Sequence, residues 1–227
     1  GAVAGLVVSC GVIILCKLLN NTAESLEKTA AHLNISPLGE IPILKDENGK
    51  ITKDSRLTLL DTTDFITTEA YKSMLSNLIF TLGAVRSKSF IITSAASGEG
   101  KSITAANLAI TLARNNTKVL LIDGDMRKPT QHKMFNVKNS KGLSTVLSGI
   151  TTLDESIQKI NDDNLFLMPS GEIPPNPQAL LSSKSMEELL EKLNGEYDYI
   201  IFDMSPAGIV SDCVSLAKLV PNVVLVA

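Results

Sequence analysis

An apolar tetrad, Phe90-Ile91-Ile92-Thr93, runs directly into Ser94-Ala95-Ala96-Ser97-Gly98-Glu99-Gly100-Lys101-Ser102, and a helix-like stretch follows from Ser102 to Arg114. Strand, glycine-rich turn and helix in that order leave few folds open. The turn lets backbone N–H groups close on phosphate oxygens, and the helix points its positive end at the same place. Lys101 is spaced to reach β- and γ-phosphates, and Ser102 to hold Mg²⁺. Ala95 stands where the usual pattern has its first glycine, so Gly98, Gly100, Lys101 and Ser102 carry the match. A lone Gly-Lys-Ser is equally explained as a turn capping a helix. The order of elements, and two acidic strand ends further on, favour the phosphate cradle, with ATP or GTP as ligand.

Those strand ends are Val119-Leu120-Leu121-Ile122 before Asp123-Gly124-Asp125-Met126-Arg127, and Tyr199-Ile200-Ile201-Phe202 before Asp203-Met204-Ser205-Pro206. A single aspartate after a strand is usually a turn or cap residue. Asp123, Asp125 and Asp203 together, in a chain with a phosphate cradle, suit a metal and a proton acceptor. Magnesium prefers oxygen ligands and keeps several waters. Asp203 is suited to hold a metal water, one of Asp123 or Asp125 to approach the metal, and the other to take a proton from an attacking hydroxyl. Arg127 is expected to pair with a carboxylate or a phosphate.

From Phe90 onward, strands are expected at 90–93, 118–122, 165–168, 198–202 and 222–226, with helices at 102–114, 183–194 and 209–219 and short helices up to about 160. This alternation predicts an α/β fold of the P-loop NTPase type, a parallel sheet flanked by helices. Its nucleotide-binding loops gather at the carboxyl ends of the strands. A further helix over 68–82 places Tyr71, Met74, Leu75, Leu78, Ile79 and Leu82 on one face, with Gly83 as its stop.

The first residues differ from the rest. Gly1 to Cys16 carries no charge, which is nearly the stretch of about 20 apolar residues that a bilayer requires. The expectation is a transmembrane helix over 1–19, cut short at its start, then a juxtamembrane linker over 20–64 and a catalytic domain over 65–227 with further elements beyond Ala227. Lys17 and Lys28 put the C-terminal side in the cytoplasm.

With 227 residues and 44% of them hydrophobic, the chain has enough material for one ordinary domain plus appendages. A net charge of −3 offers no basic footprint for nucleic acid. The 3 cysteines have no metal spacing, and the 2 histidines, His32 and His132, are expected to be solvated and without a role.

Taken together, the three motifs resemble those of the bacterial tyrosine kinases of capsular and exopolysaccharide systems, over about 65–227. In that family Gly-Glu-Gly-Lys-Ser, Asp-x-Asp-x-Arg and Asp-x-x-Pro form one active site, and here they are Gly98 to Ser102, Asp123 to Arg127 and Asp203 to Pro206. The resemblance implies ATP and Mg²⁺ as cofactors and a nucleotide site of Ser97, Gly98, Glu99, Gly100, Lys101, Ser102, Ile103 and Arg127. It further implies Lys101 on the phosphates, Ser102, Asp123 and Asp203 at the magnesium, and Asp123 and Asp125 at the metal and the substrate tyrosine. Residues 2–44 are similar to the end of a polysaccharide chain-length regulator. The partners implied are the membrane, the polysaccharide machinery, and a homo-oligomer whose C-terminal tyrosine cluster, outside this sequence, is the substrate of a neighbouring subunit. The family often packs its ring through Glu-x-x-Arg-x-x-Arg, where this chain has Glu69, Lys72 and Leu75, and a lysine does not reproduce arginine's bidentate contacts. Tyr71, Tyr197 and Tyr199 read as core residues. Two rivals remain: a partitioning-type P-loop ATPase, disfavoured by Ala96 at the place of its signature lysine, and a non-catalytic nucleotide-binding regulator.

Overall fold

The computed structural model describes residues 11, 30–31, 34–42, 65–85, 88–160 and 164–227. The expected membrane span over 1–19 lies outside these residues save for Gly11, as do His32 and most of the expected linker. Among the described residues no helix is long and apolar enough to cross a membrane. The chain divides into two compact units, Gly1–Glu40 and Ile41–Ala227. In the first, Asn34 takes a left-handed φ of 54° and the Ile35 N–H donates to the Ala30 carbonyl at 3.0 Å, the usual way an asparagine ends a helix.

The second unit opens on α1 (Phe65–Val85) and β1 (Ser89–Ser94), followed by α2 (Lys101–Arg114) and β2 (Val119–Asp123). Three short helices come next, α3 (Gln131–Met134), α4 (Leu143–Leu147) and α5 (Leu153–Ser156), then β3 (Gln158–Ile160) and β4 (Leu165–Met168). The chain continues through α6 (Pro177–Leu181), α7 (Lys184–Glu196), β5 (Tyr199–Asp203), α8 (Asp212–Ala217) and β6 (Val223–Val226). The sheet order is β3-β4-β2-β5-β1-β6. All pairings are parallel except β3 with β4, so the expected parallel sheet carries one antiparallel edge strand.

Burial on both faces explains why β1 and β2 are almost unbroken apolar runs. Side chains alternate across the sheet. Ile91, Leu120, Ile122, Ile200 and Phe202 share a core with Met186, Leu189, Leu190 and Leu193 of α7. The other face is covered by α2, which is buried continuously from Thr104 to Ala113. Outside α2 lies α1, whose Tyr71 hydroxyl hydrogen-bonds Asn107 and Thr104 of α2.

The α1 expectation needs two corrections. The helix runs through Gly83 to Val85, and Ile79 is exposed while Tyr71, Met74, Leu75, Leu78 and Leu82 are buried. The buried set follows spacings of three and four from Tyr71, and Ile79 falls at the border of that stripe.

Candidate active site

Register is what brings the acidic residues together. β2 and β5 are adjacent parallel strands, and Asp123 pairs directly with Asp203 at their carboxyl ends. One residue on, the chains come closer still: the Gly124 N–H donates to the Asp203 carbonyl at 2.9 Å. A Cβ on Gly124 would lie 2.3 Å from the Met204 sulfur and 3.3 Å from the Asp203 carbonyl oxygen, so a larger residue here requires the Met204 side chain to move and the carbonyl to give by a few tenths of an ångström. The glycine-rich turn leaves β1, which flanks β5 on its other side, and so empties over the same strand end.

Within the turn, Gly98 and Gly100 have φ of 91° and 88°, a region open to glycine without strain. Gly100 begins α2 with no side-chain cap, and the first helical hydrogen bond runs from Thr104 N–H to Gly100. The N–H groups of Lys101, Ser102 and Ile103 therefore have no helical acceptor. Ser97 and Gly98 are exposed, while Glu99, Gly100, Ser102 and Ile103 are half-buried. The Glu99 carboxylate folds back to accept the Ala96 N–H at 2.8 Å.

Lys101 is the hub. Its Nζ lies 3.1 Å from Asp125 Oδ2, 3.2 Å from Asp203 Oδ1 and 3.1 Å from Ser102 Oγ. Burial works against its charge, yet Asp203 and then Asp125 outweigh that and hold its pKa above the usual lysine value. Asp123 lacks such a partner. Burial first, and Asp203 second, push its carboxyl well above the ordinary range, against the opposing N–H groups of Gln131 and Thr130. For Asp203 burial also prevails, and its pKa rises despite the Lys101 ammonium. Oδ2 of Asp123 accepts from Thr130 N–H at 3.0 Å and Gln131 N–H at 2.9 Å, but its buried Oδ1 has no partner. Asp125 Oδ1 accepts the Lys128 N–H at 3.1 Å.

The residues singled out in the sequence thus fall into two groups. Lys101, Ser102, Asp125 and Asp203 touch one another, with Asp123 beside Asp203. Arg127 stands apart from Lys101: it binds the buried Asp212 of α8 through two hydrogen bonds, Nε to Oδ2 at 2.7 Å and Nη2 to Oδ1 at 3.0 Å, and it borders a cleft together with Lys128 and Thr130. Two further contributors had no sequence signal. Asp212 is one, since nothing in its spacing connects it to Arg127. Gln131 is the other: fully buried, its side-chain amide donates to Asp203 Oδ2 at 2.8 Å and to the Ser102 carbonyl at 2.9 Å. Beside these groups opens a cleft of about 840 Å³ lined by Lys128, Thr130, His132, Lys133, Glu172 and Ile173, among others. His132, expected to be solvated, is half-buried on this cleft, and burial lowers its pKa. Lys128 and Lys133 are exposed.

Residues 87–226 match a family model described as an AAA domain. Among curated proteins, the tyrosine-protein kinase YwqD of Bacillus subtilis is 44% identical over 161 residues, covering 71% of this chain and 68% of YwqD. The chain belongs to the bacterial tyrosine kinases. Tyrosine-protein kinase etk of Escherichia coli is 29% identical over 242 residues, which span 100% of this chain and 33% of etk. The solved kinase domain of Escherichia coli ETK superposes with a TM-score of 0.81 at 31% identity, covering 91% of this chain and 82% of that one. In this tyrosine kinase the ring-motif positions lie on α1. Glu69 and Lys72 form an exposed ion pair at 2.8 Å, and Leu75 is buried. Tyr71 and Tyr197 are buried, and burial pushes the Tyr197 hydroxyl up to about 12; Tyr199 is half-buried.

Proposed function

We propose that the chain catalyses ATP-dependent tyrosine autophosphorylation that regulates the polymerisation and export of a capsular or exopolysaccharide. The observation that carries this reading is the meeting of Lys101 with Asp125 and Asp203, at 3.1 and 3.2 Å, where the glycine-rich turn opens. ATP and Mg²⁺ fit the residues present. The unpaired N–H groups at the start of α2 suit phosphate oxygens, and the orphaned Asp123 Oδ1 suits a hard cation. Among the described residues no group of three or more His, Cys, Asp or Glu side chains has metal-binding geometry. A nucleotide-bound magnesium usually takes only one or two carboxylates, its other ligands being phosphates and waters.

In this reading Ser97 to Ile103 cradle the phosphates, and Ser102, Asp123 and Asp203 hold the metal side. Bound magnesium spreads the negative charge of the phosphates and so eases phosphoryl transfer. Lys101 exchanges its two carboxylates for phosphate oxygens. Asp125, which stands beside the cleft through its bond to Lys128, accepts the proton of the incoming tyrosine hydroxyl as the new O–P bond forms and the bond to ADP breaks. Arg127 keeps the loop in place through Asp212.

The acceptor is a C-terminal tyrosine cluster of a neighbouring subunit, as the family resemblance implies, and the burial of Tyr71 and Tyr197 supports an acceptor other than those two. Residues 1–19 serve as a membrane span and 20–64 as a linker, with the domain over 65–227 in the cytoplasm. An N-terminal segment of the chain-length-regulator type rests on the sequence resemblance of residues 2–44 alone; the alignment with etk spans 100% of this chain.

The test is incubation with ATP and Mg²⁺ followed by mass spectrometry of tyrosines. Phosphotyrosine is expected, with Lys101→Met and Asp203→Asn each slowing its appearance by about 10²–10³-fold. Inorganic phosphate without phosphotyrosine would establish the partitioning-type ATPase instead, and nucleotide binding with neither product the regulator.

A further inference from the structure

Gln131 occupies a position that neither the motifs nor the assigned chemistry explain. It is fully buried, although glutamine is mostly a surface residue. It contacts all three motif segments at once. The side-chain Nε2 donates to Asp203 Oδ2 at 2.8 Å on β5 and to the Ser102 carbonyl at 2.9 Å in the first turn of α2. Its backbone N–H donates to Asp123 Oδ2 at 2.9 Å on β2. We propose that Gln131 is a positioning residue for the metal: it fixes the rotation of Asp203 and locks that carboxylate to Ser102 and Asp123.

The geometry makes this specific. A carboxylate that rotates freely about its own axis presents either oxygen to the lysine. In this site Oδ2 is taken by the amide, so Oδ1 is the atom left facing Lys101. The same amide nitrogen ties the Asp203 carboxylate to the Ser102 backbone carbonyl, so the end of β5 and the first turn of α2, which carry two of the residues assigned to the metal, are held together. The amide oxygen, Oε1, is buried without a hydrogen-bond partner. It is a spare acceptor of the kind that the hydrogens of metal-bound waters satisfy. Only an uncharged side chain that both donates and accepts does all of this without adding charge to a site that already holds Asp123, Asp125 and Asp203 with a single ammonium among them.

The inference rests on Asp203 serving the metal, so the experiment separates the two. Binding of a fluorescent ATP analogue is followed while Mg²⁺ is titrated, and again in EDTA, for the wild type, Gln131→Met, Gln131→Glu and Asp203→Asn. Partners that orient metal ligands typically cost about 10–100-fold in metal affinity when removed. Gln131→Met is expected to raise the Mg²⁺ concentration for half-maximal binding by about tenfold and Gln131→Glu by more, with binding in EDTA unchanged within about twofold. High Mg²⁺ is expected to restore binding by Gln131→Met. A loss equal with and without Mg²⁺, including that of a variant that fails to fold, overturns the positioning role, as does an unchanged Mg²⁺ requirement. If Asp203→Asn leaves the Mg²⁺ requirement unaltered, the metal reading itself fails.

Discussion

At the scale of single residues, Gly124 sets how near the acidic strand ends stand. The side chain of Met204 occupies the space a Cβ would take, and the carbonyl of Asp203 borders it closely. Gly124→Ala is expected to cost about 1–3 kcal/mol, as overpacking in a tight interior does, read as a lower urea midpoint at unchanged slope. Kinase activity should fall as well if the Asp203 carbonyl, and not the Met204 side chain alone, gives way to the added methyl group. The acidic residues themselves were legible, since an aspartate closing an apolar strand beside a phosphate turn has few uses. Arg127 was legible as a charge in need of a partner. Which partner it takes was not, because Asp212 arrives from a helix far along the chain and owes its place to the sheet. Gln131 was hidden for the same reason: all its side-chain partners belong to other segments.

Among the elements, α5 shows how a short helix is held by its ends. Thr152 caps it, accepting the Glu155 N–H at 3.4 Å, while the Glu155 carboxylate takes the Thr152 N–H at 3.0 Å and the Lys141 ammonium at 2.8 Å. Lys141 first, then the Thr152 backbone, hold the Glu155 carboxyl at about 2. A group depressed in this way stabilises the fold above its unfolded value and loses that contribution as pH falls towards 2. Glu155 should therefore titrate near 2 in NMR, and Glu155→Gln should remove its share of the decline in stability below about pH 4. The central strands were legible within a residue or two, because burial on both faces writes continuous apolar runs. β3 was not: Gln158-Lys159-Ile160 is a polar edge strand read as part of a helical stretch. α6 was missed although its signals are present. Asn176 caps it, accepting the Ala179 N–H at 3.2 Å, and Pro177 takes the first turn, where proline is favoured.

Taken whole, the molecule is a sheet whose central strand ends and one loop define a site, and filling that site should tighten everything attached to it. A ligand at 100 times its dissociation constant adds about 2.7 kcal/mol to stability. For a domain of this size that corresponds to a rise of roughly 5–10 °C in melting temperature. Calorimetry with saturating Mg²⁺ and ADP is expected to show such a rise, and Asp203→Asn to lose most of it. The cluster around Lys101 has another effect, felt without any nucleotide. That one side chain is the counterweight to two interior acids, Asp125 and Asp203. Its replacement by methionine, the obvious way to make an inactive enzyme, strands both, and breaking a buried pair of this kind costs about 3–5 kcal/mol. A strain carrying that allele would lose protein to its proteases as well as chemistry. Phenotypes assigned to missing phosphorylation then require equal abundance of mutant and parent before they can be believed.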